Sequence, residues 1–205
     1  MVSGLISFKR RFPWLWRRVE SVNGTLFRIF HRDVDKVVPE VLEDAAPEGL
    51  AFSLATVEDA PSLAGFLNSQ PEDSFQYFRP HLFDEKSLAR IIKGNSFIVM
   101  KVTEGEIIRG YFFLRCFFSG RAFAGLLVDS ELRNQGIGTA IWSACARICD
   151  RLGIRMFATI DEKNLPSLKS CDAGTEVVAR ERLSKEYIMV ECEMRKQINK
   201  TTPVL

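Results

Sequence analysis

The 205-residue sequence predicts a mixed α/β fold of the α+β type, in which helices cover both faces of a mixed sheet, preceded by an N-terminal helical extension. Three observations predict it. Two hairpin patterns, one around residues 103–105 and one between residues 175 and 194, indicate antiparallel strands. An apolar strand, a glycine-bearing loop and a long periodic helix follow one another up to Leu152. Another apolar strand comes after this helix, which predicts one parallel pair within the sheet.

The N-terminal part differs in charge from the rest of the chain. Residues 1–32 hold seven Lys and Arg against Glu20, a net charge of +6, whereas residues 33–60 hold eight acids against Lys36, a net charge of −7. Pro13 is typical of a helix start, and an apolar stripe follows it at helical spacing. The stripe consists of Leu15, Val19, Val22, Leu26, Ile29 and Phe30, with Trp14 and Trp16 near its start.

This basic amphipathic helix, within residues 9–32, is compatible with three partners. It can pack on its own domain, on a second subunit in a homodimer, or on an anionic membrane surface. The acidic stretch from Pro39 to Gly49 indicates a linker, because prolines mark it. We therefore predict a basic extension and linker at residues 1–45, a folded domain at residues 46–195 and a polar tail at residues 196–205.

From residue 50 onward the pattern becomes regular. Residues 50–57 predict a strand, and two helices follow it, one carrying Leu63 and one that ends at Gly94. The connection between these helices, residues 75–84, combines several aromatic side chains with a proline and His81. Aromatic rings in this position either line a pocket or belong to the core under a loop.

The central segment carries the clearest sign of a binding site. The strand at residues 121–128 leads through a loop with Arg133, Gly136 and Gly138 into a helix that Gly153 ends. Glycines at a helix start let an anion approach backbone N–H groups that have no partner within the helix. Arg133 adds a positive charge. The glycines can also serve only a tight turn, but a phosphate or pyrophosphate is the natural ligand of such a loop.

These residues resemble the GNAT N-acetyltransferases: a strand ending at Val128, Arg133-x-x-Gly136-x-Gly138, a long helix, and Asn164-x-x-Ser167 after the next strand. The resemblance is specific over residues 121–174. It implies an acyl-CoA N-acyltransferase fold, acetyl-CoA as acetyl donor, its pyrophosphate in the loop, and the N–H of Val128 on the thioester carbonyl. The implied cofactor-binding residues are Leu126, Leu127, Val128, Arg133, Asn134, Gln135, Gly136, Ile137, Gly138, Thr139, Asn164 and Ser167.

The resemblance implies acetyl transfer to the amine of a small molecule. Relatives carry a tyrosine seven residues after the asparagine as general acid, where this chain has Cys171. His81 is the second candidate for proton transfer, since an imidazole titrates near neutral pH. Asp161 and Glu162 are weaker candidates, because solvation is the commoner role of such carboxylates. The missing tyrosine leaves an alternative open, a catalytically silent acyl-CoA-binding module directed by its basic helix.

The acceptor is indicated by one short string only. The stretch from Phe78 to Phe83 resembles segments of acetyltransferases of bacterial surface-polysaccharide pathways. That resemblance implies a nucleotide-linked or lipid-linked amino sugar as the acceptor.

Composition and cysteine spacing limit the partners, metal sites and cellular compartments that the sequence indicates. A net charge of +2 over the whole chain is too small to indicate a nucleic-acid partner by itself. The five cysteines have no paired-ligand spacing, so we expect neither a metal site nor a disulfide framework, and a reducing compartment. The sequence has no apolar run long enough for a membrane span and no secretory apolar region near its start. We therefore expect a cytoplasmic protein.

Overall fold

The computed structural model describes residues 13–195, with side chains from residue 18 onward. The strands are β1 (Ala51–Leu54), β2 (Phe97–Glu104), β3 (Ile107–Phe117), β4 (Arg121–Val128), β5 (Arg155–Asp161), β6 (Glu176–Arg182) and β7 (Tyr187–Glu193). The helices are α1 (Pro13–Phe30), α2 (Val34–Ala45), α3 (Ala60–Ser69), α4 (Glu85–Lys93), α5 (Ile137–Leu152) and α6 (Leu165–Gly174). The predicted polar tail lies outside the described residues.

The seven strands form one mixed sheet in the order β1-β2-β3-β4-β5-β7-β6. β4 and β5 are parallel, and the other neighbouring pairs are antiparallel. The parallel pair is joined by α5, which begins at the glycine loop and ends at Gly153 in the left-handed conformation, with φ of +66°. The mixed α/β fold predicted from the sequence is confirmed.

Helices cover both faces of the sheet, each over its own hydrophobic core. One core joins the sheet to α1, α2 and α5, and Phe27, Leu42, Phe112 and Ile148 lie at its centre. The other joins the opposite face to α3 and α4. The first core therefore unites the N-terminal helices with the strands that flank the glycine loop.

The acidic linker predicted from Pro39 was wrong, because Val34–Ala45 forms helix α2 with Pro39 inside it. Buried residues recur along α2 at steps of three and four: Val34, Val37, Val38, Val41 and Leu42. Fully burying five such side chains stabilises the fold by roughly 7–15 kcal/mol. A proline inside a helix costs about 3 kcal/mol. The free energy gained by burying these side chains therefore exceeds the cost of Pro39 within the helix.

The acidic side chains of α2 also have partners on α5. Glu40 pairs with Arg151 at 2.6 Å, and Asp44 lies 3.6 Å from Arg147. The acidic segment thus lies against the basic end of α5 instead of forming a spacer.

Helix α1 exists as predicted, but it packs through a different face. From Val19 onward the apolar stripe is largely exposed, and the side facing the sheet carries Asn23, Gly24 and Phe27. Gly24 lets α1 pack this closely on the sheet, since a Cβ there would come within 2.8 Å of the backbone at Asn95 and Ser96. No helix within residues 13–195 is long and apolar enough to cross a membrane.

Candidate active site

The two parallel strands separate after a short paired stretch. β4 and β5 pair only from Arg121 to Phe123 on one strand and from Arg155 to Phe157 on the other. Beyond these residues, β5 stays paired with β7 on its other side, up to Asp161. A cavity of about 870 Å³ occupies the opening and continues to the glycine loop and α6.

The edge of β4 presents main-chain groups to this opening. The N–H of Asp129 donates to the carbonyl of Arg109 on β3 at 2.9 Å. Because groups alternate along a strand, the main chain of Leu127 also faces β3, and those of Leu126 and Val128 face the opening. The main-chain groups of Leu126 and Val128 therefore face the opening, whereas Leu127 lines the cavity with its main chain held in the ladder opposite Tyr111.

The glycine loop ends at a helix start with free N–H groups. Gly136 has φ of +81°, a left-handed conformation that favours glycine. The N–H of Ala140 donates to the carbonyl of Gly136 at 3.0 Å. The N–H groups of Ile137, Gly138 and Thr139 therefore have no partner within the helix. The positive end of the α5 dipole lies at the same place.

Most of the predicted loop residues line the cavity. They are Arg133, Asn134, Gly136, Ile137, Gly138 and Thr139. Gln135 is not among the lining residues, and its side chain reaches the carbonyl of Glu131 at 3.5 Å. Arg133 is exposed, and its guanidinium donates to the hydroxyl of Ser74. This contact ties the connection between α3 and α4 to the mouth of the cavity.

Asn164 and Ser167 lie on the opposite wall, as predicted. The side-chain oxygen of Asn164 caps α6 by accepting from the N–H of Ser167 at 3.2 Å. Both residues line the cavity. Helix α6 lies very close to α5, because a Cβ on Gly174 would be 2.4 Å from the carbonyl oxygen of Thr139. The role of Gly174 in this packing was not foreseen from the sequence.

His81 stands behind the cavity wall. Its Nε2 is 2.7 Å from the hydroxyl of Tyr111, and its Nδ1 is 2.8 Å from the carbonyl of Leu82. Burial lowers the pKa of His81 and raises the pKa of Tyr111, so neither is charged near neutral pH. Phe78 lines the cavity, and its ring centre lies 6.3 Å from that of Tyr111. His81 itself is not among the lining residues, so its predicted proton role lacks contact with the cavity.

Cys171 faces away from the cavity. Its Sγ lies 3.5 Å from Sγ of Cys192 and 3.7 Å from the hydroxyl of Thr175, and the residue is 1% exposed. The contact with Cys192 and burial raise the pKa of the Cys171 thiol far above its ordinary value. This placement does not support the proton-donor role expected for Cys171, because a donor must reach the leaving sulfur.

The neighbouring residue in α6 takes the position at the cavity. Ser170 lines the cavity, and its hydroxyl donates to the carbonyl of Ser167 at 3.0 Å and accepts from Nε1–H of Trp142 at 3.2 Å. Neither Ser170 nor Trp142 was singled out from the sequence. A count of seven residues from Asn164 reaches Cys171, one residue beyond the side of α6 that faces the cavity.

Of the two carboxylates considered for proton transfer, Asp161 and Glu162, only Asp161 lines the cavity. Asp161 lines the cavity, is 7% exposed, and accepts from the N–H of Lys163 at 2.8 Å through one carboxylate oxygen. Glu162 instead pairs with Arg182 at 2.5 Å and does not line the cavity. Tyr77 lines the cavity. Among the described residues, no group of three His, Cys, Asp or Glu side chains is arranged to hold a metal ion.

The aromatic residues of the connection between α3 and α4 both line the cavity and pack in the core. Tyr77 and Phe78 line the cavity, while Phe75 and Phe83 pack on the core that α3 and α4 cover. Gly125 also lines the cavity, and it packs closely on Phe113, since a Cβ there would lie 2.6 Å from the ring of Phe113.

A splayed parallel pair beside an anion-binding helix start, within this strand order, defines an acyl-CoA N-acyltransferase fold. The family model described as the acetyltransferase (GNAT) family matches residues 63–171, more than half of the chain. The chain belongs to this family, whose members use acetyl-CoA, and it is an acyltransferase. The resemblance seen in the sequence is confirmed.

Solved structures with the same fold include three from different bacteria. The GNAT domain of S. lividans PAT is 20% identical, with a TM-score of 0.59, covering 69% of this chain and 89% of its own. The ribosomal-protein-S5-alanine acetyltransferase from Vibrio fischeri is 16% identical, with a TM-score of 0.58 and coverages of 71% and 93%. The yncA protein from Salmonella typhimurium, solved with acetyl-CoA, is 15% identical, with a TM-score of 0.50 and coverages of 74% and 97%. No curated protein matches the chain.

Proposed function

We propose that the protein is an acetyl-CoA-dependent N-acetyltransferase that acts on the amine of a small molecule. One observation carries the proposal: a single cavity of about 870 Å³ joins the open edge of β4 to the N–H groups at the start of α5. This volume lies within the range of small-molecule sites, about 300–1,000 Å³. It provides space for a cofactor arm and for a compact acceptor.

The described residues fit acetyl-CoA at both ends of the cavity. Gly138 and its neighbours in the first turn of α5 offer N–H groups and the helix dipole to a pyrophosphate. Arg133 adds a charge-assisted contact from the rim. The main chain of Leu126 offers a donor and an acceptor to the amide groups of a pantetheine arm between β4 and β5.

The proposed chemistry uses the last residue of β4. Bound acetyl-CoA supplies an activated acetyl group as a thioester. The N–H of Val128 faces the opening and donates to the carbonyl oxygen, where negative charge develops as the amine attacks. Such a donor is effective because the strand holds it in place before the reaction begins.

Asp161 is the group that we assign to the amine. A small amine is protonated at neutral pH and must lose a proton before it attacks. The carboxylate of Asp161 attracts the ammonium group from its place at the end of β5 and accepts that proton, directly or through one water molecule. The aromatic wall of Tyr77 and Phe78 then limits the size and shape of the acceptor.

As the C–S bond breaks, the nitrogen gives up its second proton to water, and the departing thiolate takes a proton from a hydroxyl or from water. Ser170 lines the cavity next to the position where Cys171 was expected, and Tyr77 contributes a phenol to the lining. A serine hydroxyl is a weak acid, so we assign Ser170 a hydrogen-bonding role and leave the proton to water or Tyr77.

Amino sugars are the acceptor class that we propose to test first, on the basis of the string from Phe78 to Phe83. The experiment measures thiol release from acetyl-CoA with amino sugars, nucleotide-linked amino sugars, amino acids, polyamines and a peptide with a free N-terminal alanine. The peptide is included because the Vibrio fischeri neighbour is named for a ribosomal protein. We expect turnover with a small amine. Turnover with the peptide alone would overturn the small-molecule assignment, and cofactor binding without turnover on any acceptor would favour the silent binding module.

A further inference from the structure

Helix α1 exposes an apolar surface on the side that faces away from the sheet. Val19 is 51% exposed, Val22 59%, Ile29 49% and Phe30 67%. At 3.6 residues per turn these four side chains fall within an arc of about 100°. We call this surface the outer face of α1.

The outer face is exposed because the opposite side of the helix is fixed to the domain. Asn23 Nδ2 donates to the carbonyl of Cys116 at 2.9 Å, and Glu20 pairs with Arg115 at 2.9 Å. Phe27 is fully buried, and Gly24 lets the helix backbone approach the start of β2. These contacts prevent α1 from turning its apolar stripe inward.

A neighbouring loop extends the apolar surface. Phe118, in the turn between β3 and β4, is 53% exposed, and its N–H donates to Oδ1 of Asn23 at 3.1 Å. Phe118 therefore lies beside α1. Exposed patches of this kind mark binding surfaces more often than isolated apolar side chains do.

Charge identifies the chemistry of the partner. Residues 9–18 contain five Lys and Arg and no acid, and they lead directly into the outer face. Trp14 and Trp16 lie in the first turn of α1. Two of the nearby acids pair within the fold, Asp35 with Arg28 at 2.6 Å and Glu40 with Arg151. An apolar stripe that follows a basic, tryptophan-containing sequence suits the interface of an anionic bilayer.

We propose that the outer face of α1 binds the surface of an anionic lipid bilayer. This inference goes beyond the proposed function. A second copy of the chain is the less favourable partner, because facing outer faces would bring together two segments of net charge +6.

The position of α1 keeps the bound membrane away from the cofactor cavity. Nδ1 of His31, which follows α1, is 3.2 Å from the carbonyl of Leu152 at the end of α5. The cofactor loop lies at the other end of this 16-residue helix, about 24 Å away. Membrane binding and acetyl-CoA binding are therefore separable by experiment.

The test uses the full-length chain and large unilamellar vesicles of phosphatidylcholine, with or without phosphatidylglycerol. Sedimentation measures the bound fraction for the parent, for Val22→Ser with Phe30→Ser, and for the control Val178→Ser with Leu183→Ser. The control residues are 45% and 49% exposed and lie far along the chain from α1, at β6 and just after it. Circular dichroism and acetyl-CoA titration confirm that each variant is folded.

We expect the parent and the control to bind anionic vesicles and to dissociate as salt is raised. The α1 variant should bind about tenfold less, because its side chains no longer enter the apolar layer. Equal binding by the α1 variant, or no preference for phosphatidylglycerol, would overturn the proposal. A dimer detected by light scattering and lost in the α1 variant would also overturn it, since a second copy would then occupy the outer face. Acetyl-CoA affinity should stay unchanged in every case, which separates this test from that of the enzyme function.

Discussion

Gly174→Ala should destabilise the protein, although alanine is normally the better helix residue. Alanine in place of glycine in a helix contributes about 0.5–1 kcal/mol of stability. At Gly174, however, the added Cβ would lie 2.4 Å from the carbonyl oxygen of Thr139 and 2.8 Å from Cβ of Trp142, whereas ordinary contacts begin at 3.4 Å. Helix α6 would have to move by about 1 Å away from α5, and overpacking of this kind costs about 1–3 kcal/mol.

The same movement should disturb the cavity, because α5 and α6 form two of its walls. Chemical denaturation should show a lower free energy of unfolding for Gly174→Ala, and calorimetry should show weaker acetyl-CoA binding. Gly65→Ala is the control, since Gly65 lies within α3 and its added Cβ would have no neighbour within 4 Å. The control should be as stable as the parent or slightly more stable. If Gly174→Ala matches the control in both measurements, the close packing of α5 on α6 does not shape the site.

Three further predictions concern proton chemistry and the N-terminal helices. Burial lowers the pKa of His81 in the folded state, so the unfolded chain takes up a proton first as the pH falls below about 6.5. The parent should then lose up to about 1.4 kcal/mol of stability per pH unit, and denaturation at a series of pH values should show that His81→Gln lacks this component. Asp161→Asn should lower turnover while leaving acetyl-CoA affinity unchanged; normal turnover would remove Asp161 from the mechanism. Removal of residues 1–45 should abolish cooperative unfolding, because α2 alone contributes roughly 7–15 kcal/mol of burial; a truncated protein with the parent's melting curve would contradict this.

The sequence predicted the parts of the fold whose signals are local. The strand at Arg121–Val128 and the helix from Ile137 to Leu152 have the predicted limits, because strong periodicity is bounded there by glycines and polar residues. The hairpins are also in place, and their strand limits lie within two residues of the predicted ones. Most of the predicted loop residues line the cavity for the same reason, since the loop that carries them is continuous in sequence.

The N-terminal helices could not be predicted as fully, because long-range packing overrides the local sequence pattern in both of them. Pro39 suggested a break, but the five buried residues of α2 follow helical spacing around it. In α1, the apolar stripe suggested the buried side, whereas close backbone approach at Gly24 and the hydrogen bonds of Asn23 fix the opposite side. Such tertiary contacts join residues more than 70 positions apart, and no local pattern records them.

The residues for proton transfer depend on the rotation of one helix and the path of one loop. A shift of one residue in α6 turns Cys171 into the core and Ser170 toward the cavity. His81 lies close to the expected acceptor side, yet its hydrogen bond to Tyr111 holds it behind Phe78. Sequence spacing led to a helix and a loop that both border the cavity, but it did not determine the direction of these two side chains.

The most direct test of the account is acetyl-CoA binding by Gly136→Val compared with Gly49→Val. Gly136 has φ of +81° and Gly49 has φ of +80°, and an added Cβ would meet nothing within 4 Å at either position. Both variants should therefore lose similar stability through backbone strain, about 1–2 kcal/mol or more. Only Gly136 lies at the helix start that we assign to the pyrophosphate. Calorimetry should find that folded Gly136→Val no longer binds acetyl-CoA while Gly49→Val binds like the parent, and parental affinity in folded Gly136→Val would contradict the assignment of the site.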